Sequence, residues 1–241
     1  MNIALFGYGK MGKEIEKVLL ERGHSISHKI SSKDNLETLD FSNTHAVIEF
    51  STPEAAKQNI EFCLKNALPI VIGTTGWYDD LDELSNLCAQ NETAMIHATN
   101  FSLGVNLFFK LNQQLAKLMN NYPSYNCSVT EIHHTEKKDA PSGTGITIAE
   151  GIIKEMDQFS NWENVKSTEL TSTSNLSLAS ERLPNVPGTH DVVYENEIDK
   201  IEISHTAHNR KGFALGSVIA AEWISNKKGV FTMSDVLGLE N

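Results

Sequence analysis

Cysteine is scarce. Cys63, Cys88 and Cys127 are odd in number, far apart and free of any C-x-x-C spacing, which excludes a disulfide scaffold and a paired-thiol redox site. All three read as buried thiols of a protein kept in a reducing compartment. No apolar run approaches the roughly 18 residues that a membrane-spanning helix requires, so no such span is expected. The first strand begins at Asn2, leaving no room for a signal peptide, and a cytoplasmic protein is therefore expected. Cationic charge is also in short supply: 20 Lys and Arg against 31 Asp and Glu give a formal net charge of −11. That balance argues against nucleic-acid and anionic-membrane partners, and any anionic ligand needs a local basic patch. Internal repeats and low-complexity linkers are missing as well. With 40% hydrophobic and 21% charged residues over 241 positions, the composition is that of one large globular domain or two modest ones.

The stretch that stands out is Glu131 to Gly145, E-I-H-H-T-E-K-K-D-A-P-S-G-T-G. Before it, Tyr125, Cys127 and Val129 alternate with Asn126, Ser128 and Thr130, the period of a half-buried strand over Tyr125 to Ile132. After it, Ala149, Ile152, Ile153 and Met156 recur at helical spacing. A strand thus empties into a loop and the loop feeds a helix. Pro141 interrupts regular structure, and Ser142, Gly143 and Thr144 supply a capping hydroxyl, a permissive backbone and exposed N–H groups where the helix begins. Such a helix start suits a carboxylate or phosphate. His133, His134, Lys137 and Lys138 lie just upstream, so a bound anion would also meet cationic or proton-donating groups. Neighbours on a strand face opposite ways, so the strand must end before His134 if both imidazoles serve one site. Glu131 then shares a face with Val129 and His133, and either orients an imidazole or meets solvent. Lys138 reads as solvated.

At the N-terminus a short apolar strand, Asn2 to Phe6, runs straight into G-Y-G-K-M-G. Gly7, Gly9 and Gly12 have the G-x-G-x-x-G spacing, and Met11, Ile15, Val18 and Leu19 follow at helical intervals up to Gly23. This order is that of a dinucleotide-binding turn: Gly7 for the tight turn, Gly9 for close approach to the pyrophosphate, Gly12 for packing helix on strand. Tyr8, Lys10 and Met11, between those glycines, join the cofactor-binding set. The second strand, Ser25 to Ile30, ends in Ser31-Ser32-Lys33, where an NAD-selective enzyme would carry Asp or Glu for the ribose hydroxyls. Lys29 and Lys33 are either solvated charges or partners for a 2′-phosphate. NADPH is accordingly expected to serve at least as well as NADH.

Further strands are expected at Ala46 to Phe50, Pro69 to Ile72 and Ala94 to Ala98. Between the first two of these, Thr52 can cap a helix that starts at Pro53 and buries Ala56, Ile60, Cys63 and Leu64. Phe50, the Gly73-Thr74-Thr75 segment and the Ala98-Thr99-Asn100-Phe101 segment stand at strand ends, where open α/β sheets bind ligands. Near Ser102 the alternation gives way to a long helix with Phe108, Leu111, Leu115 and Leu118 on one stripe. The stretch from Asp157 to Asn185 has too few apolar residues to build much core, and Ser167 to Ser177 is either a loop or a ragged strand. His190 to Tyr194 and Lys200 to Thr206 read as paired strands around a turn, with Ile201, Ile203 and His205 on one face. A helix follows from Gly212.

The pattern H-H-x-x-K-x-D-A-P-S-G-T over His133 to Thr144 resembles the signature of the dihydrodipicolinate reductases, nicotinamide-dependent enzymes of diaminopimelate and lysine synthesis. The resemblance runs through most of the chain and is weakest from Asp157 to Asn185. It implies a Rossmann-type doubly wound parallel sheet from residues 1–102 and 211–241, since the F-T-M-S-D-V-L end resembles the family's return to its first domain. It also implies a second α+β domain over residues 103–210, with a mostly antiparallel or mixed sheet that binds substrate and builds a homotetramer.

By the same resemblance Gly73, Thr74, Thr75, Ala98, Thr99, Asn100 and Phe101 line the nicotinamide half of the cofactor, with Arg210 and Phe213 nearby. His133 and Lys137 form the acid pair, and His134, Ser142, Gly143 and Thr144 hold the carboxylates of a small dicarboxylate substrate. A lysine, with an ordinary pKa of about 10.4, is a proton reservoir at neutral pH, which makes Lys137 the expected donor and His133 a polariser or relay. Two rival readings are a metal-dependent hydrolase using His133, His134, His190, His205 and His208, and a non-catalytic dinucleotide sensor. The first lacks the i, i+4 histidine spacing of H-E-x-x-H, so no metal is expected; the second leaves the H-H-x-x-K cluster without a task.

Overall fold

The computed structural model describes residues 1–166 and 174–239, which fall into two compact units, Met1–Leu103 with Arg210–Asn241 and Gly104–Asn209. In chain order the first unit holds β1 (Asn2–Phe6), α1 (Lys10–Glu21), β2 (Ser25–Ile30), β3 (Ala46–Glu49), α2 (Pro53–Lys65), β4 (Ile70–Ile72), α3 (Leu81–Gln90) and β5 (Ala94–His97). The second holds α4 (Leu103–Met119, from Gly104 on), β6 (Asn126–His133), α5 (Gly143–Glu155), β7 (Asn161–Val165), β8 (Asn175–Arg182), β9 (Gly188–Glu195) and β10 (Lys200–Ala207). The chain then returns to the first unit with α6 (Lys211–Ile224), β11 (Gly229–Phe231) and α7 (Met233–Leu237).

The first unit's six strands are all parallel, in the order β11-β5-β4-β3-β1-β2. Its central strands read as unbroken apolar runs because a parallel sheet is covered on both faces. Ile3, Leu5, Ile48, Val71 and Ile96 pack with α1 and α6, whereas Ala4, Phe6, Val47, Ile72 and Met95 pack with α2 and α3. The expected doubly wound architecture follows directly from that two-sided burial. One local expectation fails: Thr52 stands at the N-cap position of α2 but makes no side-chain capping bond.

In the second unit the strand order is β10-β9-β6-β8-β7, with β9 antiparallel to both neighbours and β6, β8 and β7 mutually parallel. Cys127, Val129, Leu176, Leu178, Val192 and Tyr194 line the face that meets Phe108, Ala116 and Met119 of α4 and Ile148, Ala149 and Ile152 of α5. The sheet is thus the expected mixed one, with helices on one side.

Two expectations need correction here. On α4, Leu111 and Leu118 are 51% and 64% exposed; the buried stripe is Val105, Asn106, Phe108, Asn112, Ala116 and Met119. Polar Asn112 is tolerated inside because it donates to the Ile148 carbonyl at 3.3 Å and accepts from the Tyr194 hydroxyl at 3.4 Å. Of the expected stripe, Phe108 and Leu115 do meet the core, so reading apolarity alone set the stripe partly off its buried face. The stretch Asp157 to Asn185 does build core, since β8 lies between β6 and β7 with Leu176 and Leu178 fully buried. Its serines hid the alternation. Of the Ser167 to Ser177 segment, residues 167–173 lie outside the described residues, and β8 begins at Asn175.

Candidate active site

In the first unit three glycines of the N-terminal motif do three different jobs. Gly7 has φ +91°, and a Cβ there would stand 2.0 Å from the Phe50 carbonyl oxygen. A Cβ on Gly12 would stand 2.4 Å from the Gly7 carbonyl oxygen, so both residues are fixed by backbone packing. Around Gly9, which precedes α1, a Cβ would meet nothing within 4 Å. Gly9 therefore leaves open space at a helix N-terminus whose first amides have no partner within the helix, and that cradle fits a pyrophosphate. Lys10 is exposed there, Met11 is half-buried, and Tyr8 donates its hydroxyl to Glu16.

The ends of β3, β4 and β5 are drawn together. A Cβ on Gly73 would lie 2.1 Å from the Phe50 ring, and that ring meets Phe101 edge-on at 5.9 Å. The Ser51 amide donates to the Thr74 hydroxyl at 2.8 Å, and Asn100 accepts from the Ser102 amide at 2.8 Å. Thr75 and Thr99 are exposed and Ala98 half-buried in the same loops. Arg210 stands at the N-cap position of α6 without a side-chain capping bond and is exposed, with Phe213 half-buried one turn on. At the end of β2, Lys29 pairs with Glu16 at 2.6 Å and lies over the Tyr8 ring, while Lys33 is exposed. The Asp34 carboxylate turns back to accept from the Ser31 amide and hydroxyl at 2.8 and 2.7 Å.

In the second unit, β6 ends at His133, so His134 lies outside the strand, as expected. Glu131 is fully buried, which removes the solvent alternative. Its Oε1 accepts from the Ser142 amide at 2.9 Å, the Ser180 hydroxyl at 2.9 Å and Arg182 Nη2 at 3.4 Å, and Oε2 accepts from the Ser142 hydroxyl. The same Oε2 lies 3.7 Å from His133 Nδ1 and 3.8 Å from His190 Nε2. Burial pushes the Glu131 carboxyl up, but these donors outweigh it and hold the group below the ordinary carboxylate range. Burial drives His133 below the usual imidazole range against the pull of Glu131, and takes His190 down to about 3. The two rings meet edge to face at 5.1 Å.

Next to this cluster the Lys137 amide donates to the His134 carbonyl at 3.1 Å, closing a turn, and Lys137 Nζ meets Asp139 at 2.8 Å. Arg182 ties the loop down by donating to the Asp139 carbonyl at 2.5 Å. Gly143 opens α5, exposed and with nothing within 4 Å of a Cβ, and Thr144 is buried beside it. Ser142 caps α5 as expected. At 2% exposure, its hydroxyl donates to Glu131 and accepts from the Gly145 amide.

Arg182 and Ser180 are the members that residue patterns did not single out; Asp139 stood in the quoted pattern without a role, and His190 was grouped with His133 only in the rival metal reading. For His190 a signal existed: alternation along β9 puts it on the face of Val192 and Tyr194, directly opposite Glu131 in register. Among the described residues Glu131, His133 and His190 are also close enough to share an ion, their ligand atoms lying within 4.8 Å of one another. The Arg182 guanidinium reaches the other oxygen of the same carboxylate at 3.4 Å.

The family described as "Dihydrodipicolinate reductase, N-terminus" matches residues 1–101, and "Dihydrodipicolinate reductase, C-terminus" matches residues 104–237. The chain is 47% identical over 239 residues to the 4-hydroxy-tetrahydrodipicolinate reductase of Christiangramia forsetii, covering 98% of each sequence. Among solved structures it is similar to the dipicolinate-bound dihydrodipicolinate reductase of Paenisporosarcina sp. TG-14, with a TM-score of 0.71, 21% identity and coverage of 96% and 97% of the two chains. A probable dehydrogenase from Thermotoga maritima superposes at TM-score 0.59 with 10% identity, over 99% of this chain and 93% of that one. At those identities the likeness is one of fold.

Proposed function

The chain belongs to the dihydrodipicolinate reductase family and is an oxidoreductase, and from that premise we propose that it reduces 4-hydroxy-tetrahydrodipicolinate to tetrahydrodipicolinate in diaminopimelate and lysine synthesis. A nicotinamide cofactor, when bound, supplies hydride. The chain's own residues hold the substrate and deliver the proton. Lys137 is the proton donor and His133 the polariser or relay. His134 and the amides of Gly143 and Thr144 hold the carboxylates at the start of α5, as a helix N-terminus favours. The observation that carries this reading is the 47% identity to a reductase of that name over nearly the whole chain. It is supported by the buried Glu131–His133 pair standing beside that helix start. The test is whether oxidation of NADPH or NADH by the purified protein depends on the fresh condensation product of aspartate semialdehyde and pyruvate.

If the Gly143 amide holds substrate, Gly143→Val should leave the fold intact, because a side chain there enters open space. It should raise the substrate KM while cofactor binding survives. An unchanged KM in the folded variant would remove Gly143 from the substrate site.

NADPH is used at least as well as NADH in this reading. Ser31 and Ser32 stand where a repelling carboxylate would be, and the nearest one, Asp34, is occupied by Ser31. Lys29 is already neutralised by Glu16, so Lys33 is the lysine that would meet a 2′-phosphate. Lys33→Ala should cost NADPH more than NADH, and kcat/KM for both at one ionic strength decides it. A preference for NADH of about tenfold or more, or about 1.4 kcal/mol, would sink this part of the reading.

The protein is read as a cytoplasmic homotetramer, associating through the open face of the second unit's sheet, where Asn126, Ser128 and Thr130 point away from the helices. No helix among the described residues is long and apolar enough to cross a membrane.

A further inference from the structure

We propose that Glu131 is a positioning residue that fixes His133 in the tautomer protonated at Nδ1, leaving Nε2 to exchange the proton, and that anchors the start of α5 through Ser142. This rests on the reading of His133 as part of the proton-delivering pair. A carboxylate with no exposure is costly to bury as an anion, and Glu131 is compensated by donors from α5's cap and from β8. Three of those four bonds fall on or share Oε1, so Oε2 keeps an acceptor direction toward the two imidazoles. His133 Nδ1 is buried, lies 3.7 Å from that oxygen and, among the described residues, has no hydrogen-bond partner. The distance is too long for a hydrogen bond, but catalytic hydrogen bonds of this kind shorten when substrate is held. An N–H pointed at a carboxylate is favoured over a lone pair pointed at it, so the proton belongs on Nδ1. Ser142, on the other side of the same carboxylate, presents Gly143 and Thr144, so one buried charge aligns the proton donor's partner and the carboxylate cradle together.

The experiment has two readouts that do not depend on turnover. Long-range proton–nitrogen NMR of the full-length protein labelled at histidine should show His133 protonated at Nδ1, and this needs no variant. In Glu131→Gln, whose carbonyl oxygen can still accept from Ser142, that preference should be lost. Removing the negative charge should also move the His133 titration, and the acid limb of the kcat profile, to lower pH. The groups facing His133 in both proteins are Arg182 from β8, His190 from β9 and Lys137 and Asp139 from the loop, so Glu131 is the one change. We expect kcat to fall about a hundredfold with cofactor KM within about threefold. A wild-type His133 protonated at Nε2, or an unchanged tautomer and titration in Glu131→Gln, would overturn the proposal. If the NMR result holds while His133→Ala retains turnover, the assignment of His133 fails and the positioning of its ring stands.

Discussion

Replacing Lys137 by alanine is expected to lower kcat by about a hundredfold or more, the usual scale for loss of a general acid, and replacing His133 should do the same. A hundredfold corresponds to about 2.7 kcal/mol of transition-state stabilisation. The two variants differ in what else they disturb. The Lys137 side chain is 23% exposed and, among the described residues, pairs with Asp139, so its loss should leave the unfolding temperature where it is. His133 is 7% exposed and packs against His190 beside Glu131, so its alanine variant loses some stability along with activity. His133→Gln, which keeps volume and a polar tip, is the fairer control. Thermal unfolding run beside steady-state turnover separates the two effects. Near-normal turnover in folded Lys137 and His133 variants would withdraw both residues from the chemistry.

The parts of this molecule that sequence exposes are those in which one residue type has one physical use. G-Y-G-K-M-G after an apolar strand is such a case, because a left-handed turn at Gly7 and a close approach at Gly12 admit little else. The unbroken apolar strands of the first sheet are another. Where a position is held by partners remote in sequence, the pattern misleads. Asn112 is buried because Tyr194 and Ile148 meet it, and neither is visible from α4 alone. Arg182 looks like a solvated charge in a polar stretch, yet it ties Asp139 and Glu131 together through a strand pairing of β6 with β8. Glu131 itself was legible as to face, but its burial depends on donors from Ser142, Ser180 and Arg182, of which Ser142 alone lies in the same motif.

The last expected result sets two glycines of one motif against each other. Gly12→Ala places a methyl 2.4 Å from the Gly7 carbonyl oxygen, a backbone atom held in turn by the Phe50 contact, so neither side can give way cheaply. Overpacking of this kind costs about 1–3 kcal/mol and sometimes more, a large share of the roughly 5–15 kcal/mol that holds a typical domain. In a chain of this size that is a fall in unfolding temperature of about 2–12 °C. Gly9→Val is the opposite case: φ is −87° and nothing lies within 4 Å, so the fold should tolerate it and the unfolding temperature should stay within about 2 °C. The side chain would instead fill the space at the start of α1 that the cofactor's pyrophosphate needs, and KM for NADPH and NADH should rise about tenfold or more while substrate KM is unchanged. A Gly9→Val protein that binds both cofactors normally would mean that the nucleotide does not approach through this gap. An unaltered unfolding temperature in Gly12→Ala would mean that α1 can slide on its strand, and that Gly12 is not what seats it.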